Sequence, residues 1–187
     1  MKLLMIDNYD SFTYNLVQLV KENSDFEIDV FRNDEISIEE VNNYDKILLS
    51  PGPGIPVDAG IMCAIIEKYK NTKPIFGVCL GMQAIGEVFG GKLINIAEPL
   101  HGVSTLIKHT SSPIFKDVPV EFNAGRYHSW AVDAETMPDV LNITSTDFNG
   151  EVMAIEHKTL PICGVQFHPE SILTDHGKTI LFNFLNA

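Results

Sequence analysis

Along the first half of the chain, short unbroken apolar runs alternate with stretches whose apolar residues recur every three or four positions. Lys2 to Ile6 (KLLMI), Ile28 to Phe31 (IDVF), Lys46 to Ser50 (KILLS) and Pro74 to Val78 (PIFGV) read as strands. Ser11 to Val20, Asp58 to Tyr69 and Leu80 to Phe89 carry the helical period, the last ending at Gly90-Gly91. Strands that are apolar throughout and separated by helices predict a parallel sheet covered on both faces. From Lys92 onward the pattern changes. Val103–Ile107, Tyr127–Val132, Val140–Ser145 and Val152–Glu156 are strand-like and closer together, with turn residues between them, which predicts antiparallel or mixed sheet. Ile162 to Phe167 returns to a buried apolar strand, and Lys178 to Leu185 reads as a closing helix. No linker, repeat or low-complexity segment interrupts the pattern. The expectation is one α/β domain over residues 1–187, an open and mostly parallel sheet flanked by helices, with added antiparallel strands.

In open sheets of this kind the working groups gather beyond the carboxyl ends of the strands. Asp7–Ser11, Pro51–Pro56, Cys79–Gln83 and His168–Ser171 each follow a predicted strand directly. They are therefore expected along one edge.

Composition narrows the partners. The 187 residues are 45% hydrophobic and 20% charged, as in a globular protein with a real core. A formal net charge of -12 and the lack of any basic run argue against nucleic acid and anionic membrane surfaces. The N-terminal MKLLMIDNYD is too short and too acidic for a signal peptide, and no stretch approaches the ~20 apolar residues of a membrane span. Cys63, Cys79 and Cys163 are odd in number and widely spaced, which suggests reduced thiols in a cytoplasmic protein. Cys63 and Cys163, in apolar surroundings, are expected to be buried packing residues.

Gly77-Val78-Cys79-Leu80-Gly81 has the form G-x-C-x-G. By itself it fits two structures. Cys79 is either a small core residue at a tight turn or a nucleophile on a strained strand-to-helix elbow, beside backbone N–H groups and a helix N-terminus. His168-Pro169-Glu170 supplies what such a thiol needs, a base and an acid to orient it, since residues two apart share a side in extended backbone. Alone, this segment reads rather as a surface His-Pro turn with a solvated glutamate; it is the combination with the cysteine elbow that points to chemistry. Ser50-Pro51-Gly52-Pro53-Gly54-Ile55-Pro56 is either an ordinary turn or a stiff loop whose exposed N–H groups meet an oxyanion. Arg126 to Trp130 (RYHSW) holds a second candidate base, His128, which lacks an acidic residue at i±2 or i±4; the segment is expected to line a pocket. His101, His109, His157 and His176 belong to no such constellation and are expected to be surface or structural. No residue pattern supports a metal site, and Phe12, Leu16, Leu19 and Val20 read as ordinary core.

Together, DNYDSFTYNLVQ (Asp7 to Gln18), SPGPGIP, GVCLGMQAIGEVFGG, RYHSW and GVQFHPESI resemble the class I, triad-type glutamine amidotransferase family over essentially the whole chain, and the opening segment resembles its chorismate branch. The resemblance implies a flavodoxin-like fold with added antiparallel strands. It implies Cys79 as nucleophile, His168 as base and then acid, and Glu170 as its orienter. It implies an oxyanion hole from the backbone N–H groups of Gly52 and Leu80. L-Glutamine would be held by Gly52, Pro53, Gly54, Gln83, Ser129 and Trp130. No metal or cofactor is implied. Ammonia would pass to a chorismate-binding synthase subunit, serving anthranilate (tryptophan) or aminodeoxychorismate (folate) synthesis. A chorismate-converting domain needs several hundred more residues, so a free-standing subunit is expected, docking through Asp7, Tyr9, Asp10, Ser11 and Phe12. Met82 departs from the family's frequent His, and His101-Gly102-Val103-Ser104-Thr105 from its frequent HGKTS; neither touches the triad. A cysteine peptidase-like hydrolase is disfavoured by SPGPG and RYHSW, and a non-catalytic regulatory subunit by the intact triad.

Overall fold

The structure, a computed structural model, describes residues 1–22 and 24–187. Five strands form its parallel half: β1 (Lys2–Asp7), β2 (Glu27–Arg32), β3 (Lys46–Leu49), β4 (Ile75–Val78) and, late in the chain, β9 (Ile162–Val165). Between them come α1 (Thr13–Lys21), α2 (Met62–Tyr69), α3 (Leu80–Val88) and, last, α4 (Gly177–Leu185). The second half inserts β5 (Leu93–His109), β6 (Glu121–Val132), β7 (Leu141–Asp147) and β8 (Val152–His157). Among the described residues, nine strands join one sheet in the order β2-β1-β3-β4-β9-β8-β7-β5-β6. Pairings from β2 to β9 are parallel, and those from β9 to β6 are antiparallel.

The continuous apolar strands follow from cover on both faces. Successive side chains of a strand point to opposite sides. Leu3, Met5 and Leu48 pack with Leu16, Val17 and Val20 of α1 and Ile180, Leu181 and Phe184 of α4. Leu4, Ile6, Ile47 and Leu49 pack with Met62, Ile65 and Ile66 of α2 and Leu80, Met82 and Ile85 of α3. The strand order reverses direction between β1 and β3, and a reversal of this kind opens a crevice at the carboxyl edge. There Asn8 caps the neighbouring strand: its N–H donates to Ser50 Oγ (2.8 Å) and its side-chain amide to the Ser50 carbonyl (2.9 Å).

Several boundaries differ from expectation. The helix expected from Asp58 starts at Met62. A 3-10 turn at Pro56–Asp58 comes first, and Gly60, at φ +54, lets the chain press on the Asn33 carbonyl, where a Cβ would sit 2.5 Å away. Strand β5 is 17 residues long, far beyond the expected Val103–Ile107. It is largely exposed and loses register between Asn95 and Leu100 and again between His101 and Val103, so its apolar residues show no clean alternation. Cys63 is only half-buried, because it lies on the outer flank of α2 with Sγ 3.6 Å from the Pro56 carbonyl; Cys163 is buried as expected. Met82 is wholly buried against β9, at the position where a Cβ on Gly164 would meet its side chain. It faces the core, not the crevice, which explains why an apolar residue serves there.

A very close approach of backbone to backbone occurs where β4 passes into α3. A Cβ on Gly81 would sit 2.6 Å from the Leu49 carbonyl oxygen, and one on Gly77 would overlap the Gly81 backbone. Gly81→Ala is expected to destabilise the protein by about 2 kcal/mol or more, because backbone rather than a mobile side chain must move. Urea unfolding of variant and parent, compared at equal m-value, measures this.

Candidate active site

Cys79 is the single residue between β4 and α3, and its backbone is strained, at φ 51 and ψ -102. Its N–H donates to the Val165 carbonyl (2.8 Å), which ties the turn to β9. The two flanking glycines are what allow strand, elbow and helix to pass so closely. The following N–H, that of Leu80, opens α3 and has no intrahelical acceptor.

Beyond β9 the chain bends, and His168 emerges beside the elbow. His168–Glu170 is a turn rather than the extended segment expected: Ser171 N–H donates to the His168 carbonyl (3.1 Å), and so does Thr174 Oγ1 (2.6 Å). The pairing still forms, with His168 Nδ1 2.6 Å from Glu170 Oε1 and both side chains buried. Nδ1–H therefore donates to the carboxylate, and Nε2 is left without a hydrogen-bond partner among the described residues. Burial pulls the imidazole's pKa down, but its interactions with Cys79 and Glu170 outweigh this and raise it. Two aromatic rings wall the imidazole: Phe12 at 5.4 Å and Tyr127 at 4.8 Å between centroids. The Tyr127 hydroxyl is anchored on Ser171 Oγ at 3.1 Å.

Cys79 opens onto two adjoining cavities. The narrower, of 140 Å³, is lined by Gly52, Pro53, Gly54, Cys79, Gln83, Tyr127, His128, Ser129 and Trp130. It gathers all six residues expected to hold glutamine. The wider, of 440 Å³, is lined by Tyr9, Asp10, Ser11, Phe12, Pro51, Gly52, Pro53, Cys79, His101, Tyr127 and His168. Gly52 belongs to both, and only a glycine fits: a Cβ there would lie 2.6 Å from Asn8 Cβ and 2.8 Å from the Leu80 side chain. Gly52 and Leu80, the residues expected to line the oxyanion hole, are thus in contact through the Leu80 side chain. Of the expected docking residues, Tyr9 and Ser11 are exposed and Asp10 and Phe12 half-buried. Asp7 is turned inward, accepting from Thr13 Oγ1 (2.8 Å) and the Asp10 N–H (3.2 Å). Its carboxylate shapes the loop that carries Tyr9 to Phe12. Among the described residues, no group of three or more His, Cys, Asp or Glu is placed to hold a metal ion, and no helix is long and apolar enough to cross a membrane.

Sequence reasoning missed the support behind the narrow cavity. Arg126 is 2% exposed; its guanidinium donates to Asp147 (2.9 Å) and Glu151, while its Nε donates to His128 Nε2 (3.1 Å). His128 must then carry its proton on Nδ1, which donates to the Trp130 carbonyl (2.9 Å). Burial first, and the Arg126 charge second, push the His128 pKa down to about 4. His128 is thus a neutral strut, not a second base. Gln166, fully buried, also went unremarked, although a polar side chain just past a buried strand is itself a signal. Ile172, 98% exposed one residue beyond Ser171, is the most exposed large apolar side chain among the described residues.

A cysteine on a strained elbow, a histidine tied to a glutamate, and a doubly wound sheet define the class: an α/β protein whose sheet edge carries the groups that thiol nucleophilic chemistry requires. Comparison with known proteins agrees and is more specific. The model of the family "Glutamine amidotransferase class-I" matches residues 4–187. The chain is 48% identical to the Bifunctional protein TrpGD of Thermotoga maritima over 99% of its own length but only 32% of that protein's. It is 48% identical to the Aminodeoxychorismate/anthranilate synthase component 2 of Bacillus subtilis, spanning 99% of this chain and 96% of that one. It is 45% identical to the Anthranilate synthase component 2 of Pseudomonas aeruginosa, spanning 98% and 94%. A crystal structure from Thermoplasma acidophilum, described as that of a GMP synthase subunit, superposes with a TM-score of 0.88 at 27% identity over 100% of this chain and 92% of that one. The chain belongs to the class I glutamine amidotransferase family.

The low His128 pKa has a signed consequence. Unfolded histidine binds its proton near 6.5, whereas folded His128 resists it to about 4. Between these values the unfolded state binds more protons, so the contribution is complete above about pH 6.5 and is lost as pH falls through about 4. In His128→Asn the loss of stability from pH 7 to pH 4.5 should be smaller by on the order of 2 kcal/mol, as measured by urea unfolding at the two pH values.

Proposed function

We infer that this chain is the glutamine-hydrolysing subunit of a chorismate-using synthase, supplying ammonia for anthranilate formation in tryptophan synthesis. The observation that carries this reading is His168, with Nδ1 held by Glu170 at 2.6 Å and Nε2 unpartnered, beside a cysteine at φ 51. Cys79 Sγ attacks the side-chain amide carbon of L-glutamine as its proton passes to His168 Nε2. Glu170 orients the ring and stabilises the imidazolium. The oxyanion receives hydrogen bonds from the Gly52 and Leu80 N–H groups. As the C–N bond breaks, His168 returns the proton to the departing nitrogen, leaving a γ-glutamyl thioester and ammonia. Water, with His168 as base, then releases glutamate and the thiol. Gly52, Pro53, Gly54, Gln83, Ser129 and Trp130 hold the substrate, and no cofactor or metal takes part.

The protein acts as one domain over residues 1–187, in the cytoplasm, with neither nucleic acid nor membrane as partner. Its partner is a chorismate-binding synthase subunit, which docks over the wider cavity at Tyr9, Asp10, Ser11 and Phe12. Aminodeoxychorismate synthesis, alone or in addition, is the second reading; it is favoured by the Bacillus subtilis relative, whose name carries both products.

Cys79→Ala is expected to lower glutamine-dependent product formation by about a thousand-fold or more, leaving the ammonia-dependent reaction of the complex intact. Retained glutamine use would overturn the assignment. Reconstitution with each type of chorismate-binding subunit, followed by product identification, separates the two pathways. Tyr9→Ala and Phe12→Ala should each weaken complex formation by about ten-fold, as expected for aromatic interface anchors. A dissociation constant unchanged in both variants would remove the docking surface from this loop.

A further inference from the structure

One side chain within hydrogen-bond distance of the Cys79 sulfur is not a triad member. Gln166 is fully buried, and its Nε2 lies 3.4 Å from Sγ. The orientation of its amide is fixed by a chain of partners. The Trp130 carbonyl can only accept, so the Gln83 amide end 2.8 Å from it is the nitrogen. That nitrogen's other N–H donates to Gln166 Oε1 at 3.1 Å. Gln166 must therefore turn its own N–H toward the sulfur. Upstream, the Trp130 carbonyl is held by His128, and His128 by the buried Arg126. Two donor series meet at the Trp130 carbonyl: Arg126 and His128 hold it from one side, and from the other Gln83 donates both to it and to Gln166, which faces the nucleophile.

We propose that Gln166 is a further catalytic residue, donating a hydrogen bond to the Cys79 thiolate and aiming Sγ at the substrate carbon. The proposal rests on the reading of Cys79 as nucleophile. A sulfur anion accepts a hydrogen bond better than a neutral thiol does, so the contact favours the reactive form. An amide suits the position better than a lysine. It adds no charge to a buried site, so it neither requires a counter-ion nor repels the imidazolium of His168. The same series leaves Gln83 with both N–H groups engaged and its Oε1 as the atom available to the substrate. Gln83 would then recognise a donor on glutamine.

The titratable groups around Cys79 are His168, backed by Glu170, then Tyr9, Asp10, His101 and Tyr127 on the wider cavity and His128 on the narrower. None changes in a Gln166 variant. The test is the rate of Cys79 alkylation by iodoacetamide in the intact chain, resolved by peptide mass spectrometry from pH 5 to pH 9. Gln166→Met keeps the length and removes the donor. Its Cys79 should react about ten-fold more slowly near pH 7 and converge on the parent at pH 9, the size expected for losing a hydrogen bond to a charged acceptor. Gln166→Glu, with acceptors facing the sulfur, should be slower still. A Gln166→Met profile matching the parent at every pH, or lowered equally at every pH, overturns the proposal. If that variant does not fold, Gln83→Met removes the amide that orients Gln166 and should shift the profile the same way; no shift there overturns it equally. Glutamine hydrolysis by the parent complex is measured alongside. A parent that hydrolyses glutamine but shows no Gln166 dependence loses this inference alone. A parent whose alkylation depends on Gln166 but which leaves glutamine untouched keeps it, and loses the function proposed above.

Discussion

Strand β4 and helix α3 approach each other so closely that no side chain fits at Gly77 or Gly81, and the residue between must leave the usual backbone regions. Most of the chemistry here depends on that contact. The strained φ of Cys79 aims its thiol out of the sheet edge and brings the first N–H of α3 to the same side. The strain persists because the surroundings over-determine it: the Cys79 N–H is held by β9, Gly81 rests on the Leu49 carbonyl, and Leu80, Met82 and Ile85 are locked into the core. A looser junction would let the elbow relax into an ordinary helix start.

The two halves of the sheet have separate tasks. The parallel half places Cys79 after β4 and His168 after β9, at the ends of two strands that are adjacent in the sheet. The loop after β3 adds Gly52, fixed by the neighbouring loop of β1 through Asn8. The antiparallel half builds the facing wall from β6, which carries Tyr127 to Trp130. That wall must hold its polar groups without water. It does so through Arg126, whose charge is met by Asp147 and Glu151 and whose Nε sets the tautomer of His128. Buried charge of this sort is costly unless fully paired.

Local pattern was informative where the physics is local. The strands of the parallel half are continuous apolar runs because both faces are covered, so they were legible. So was the elbow, because close backbone approach demands glycine and glycine is visible. The i, i+2 pairing of His168 and Glu170 was found although its rationale was wrong: the segment is a turn, yet the two side chains still meet. Strand β5 was mostly illegible, since an exposed, bulged ribbon has no apolar alternation. The helix expected from Asp58 began late for a related reason: Gly60 answers to the distant Asn33 carbonyl, not to its own neighbours.

The sequence by itself determined the class of sheet, the edge on which its strand-end loops gather, and the Cys-His-Glu set that lies there, because apolar period, glycine and these three side chains are properties of short segments. The tertiary structure alone decided how those residues are held. Arg126 against Asp147 and Glu151, His128 as a neutral strut, the inward Asp7 and the amide of Gln166 against the sulfur all join residues far apart in the chain. Which partner satisfies a buried polar group is settled only when the strands pack, because that is when water is excluded and each donor must find its acceptor.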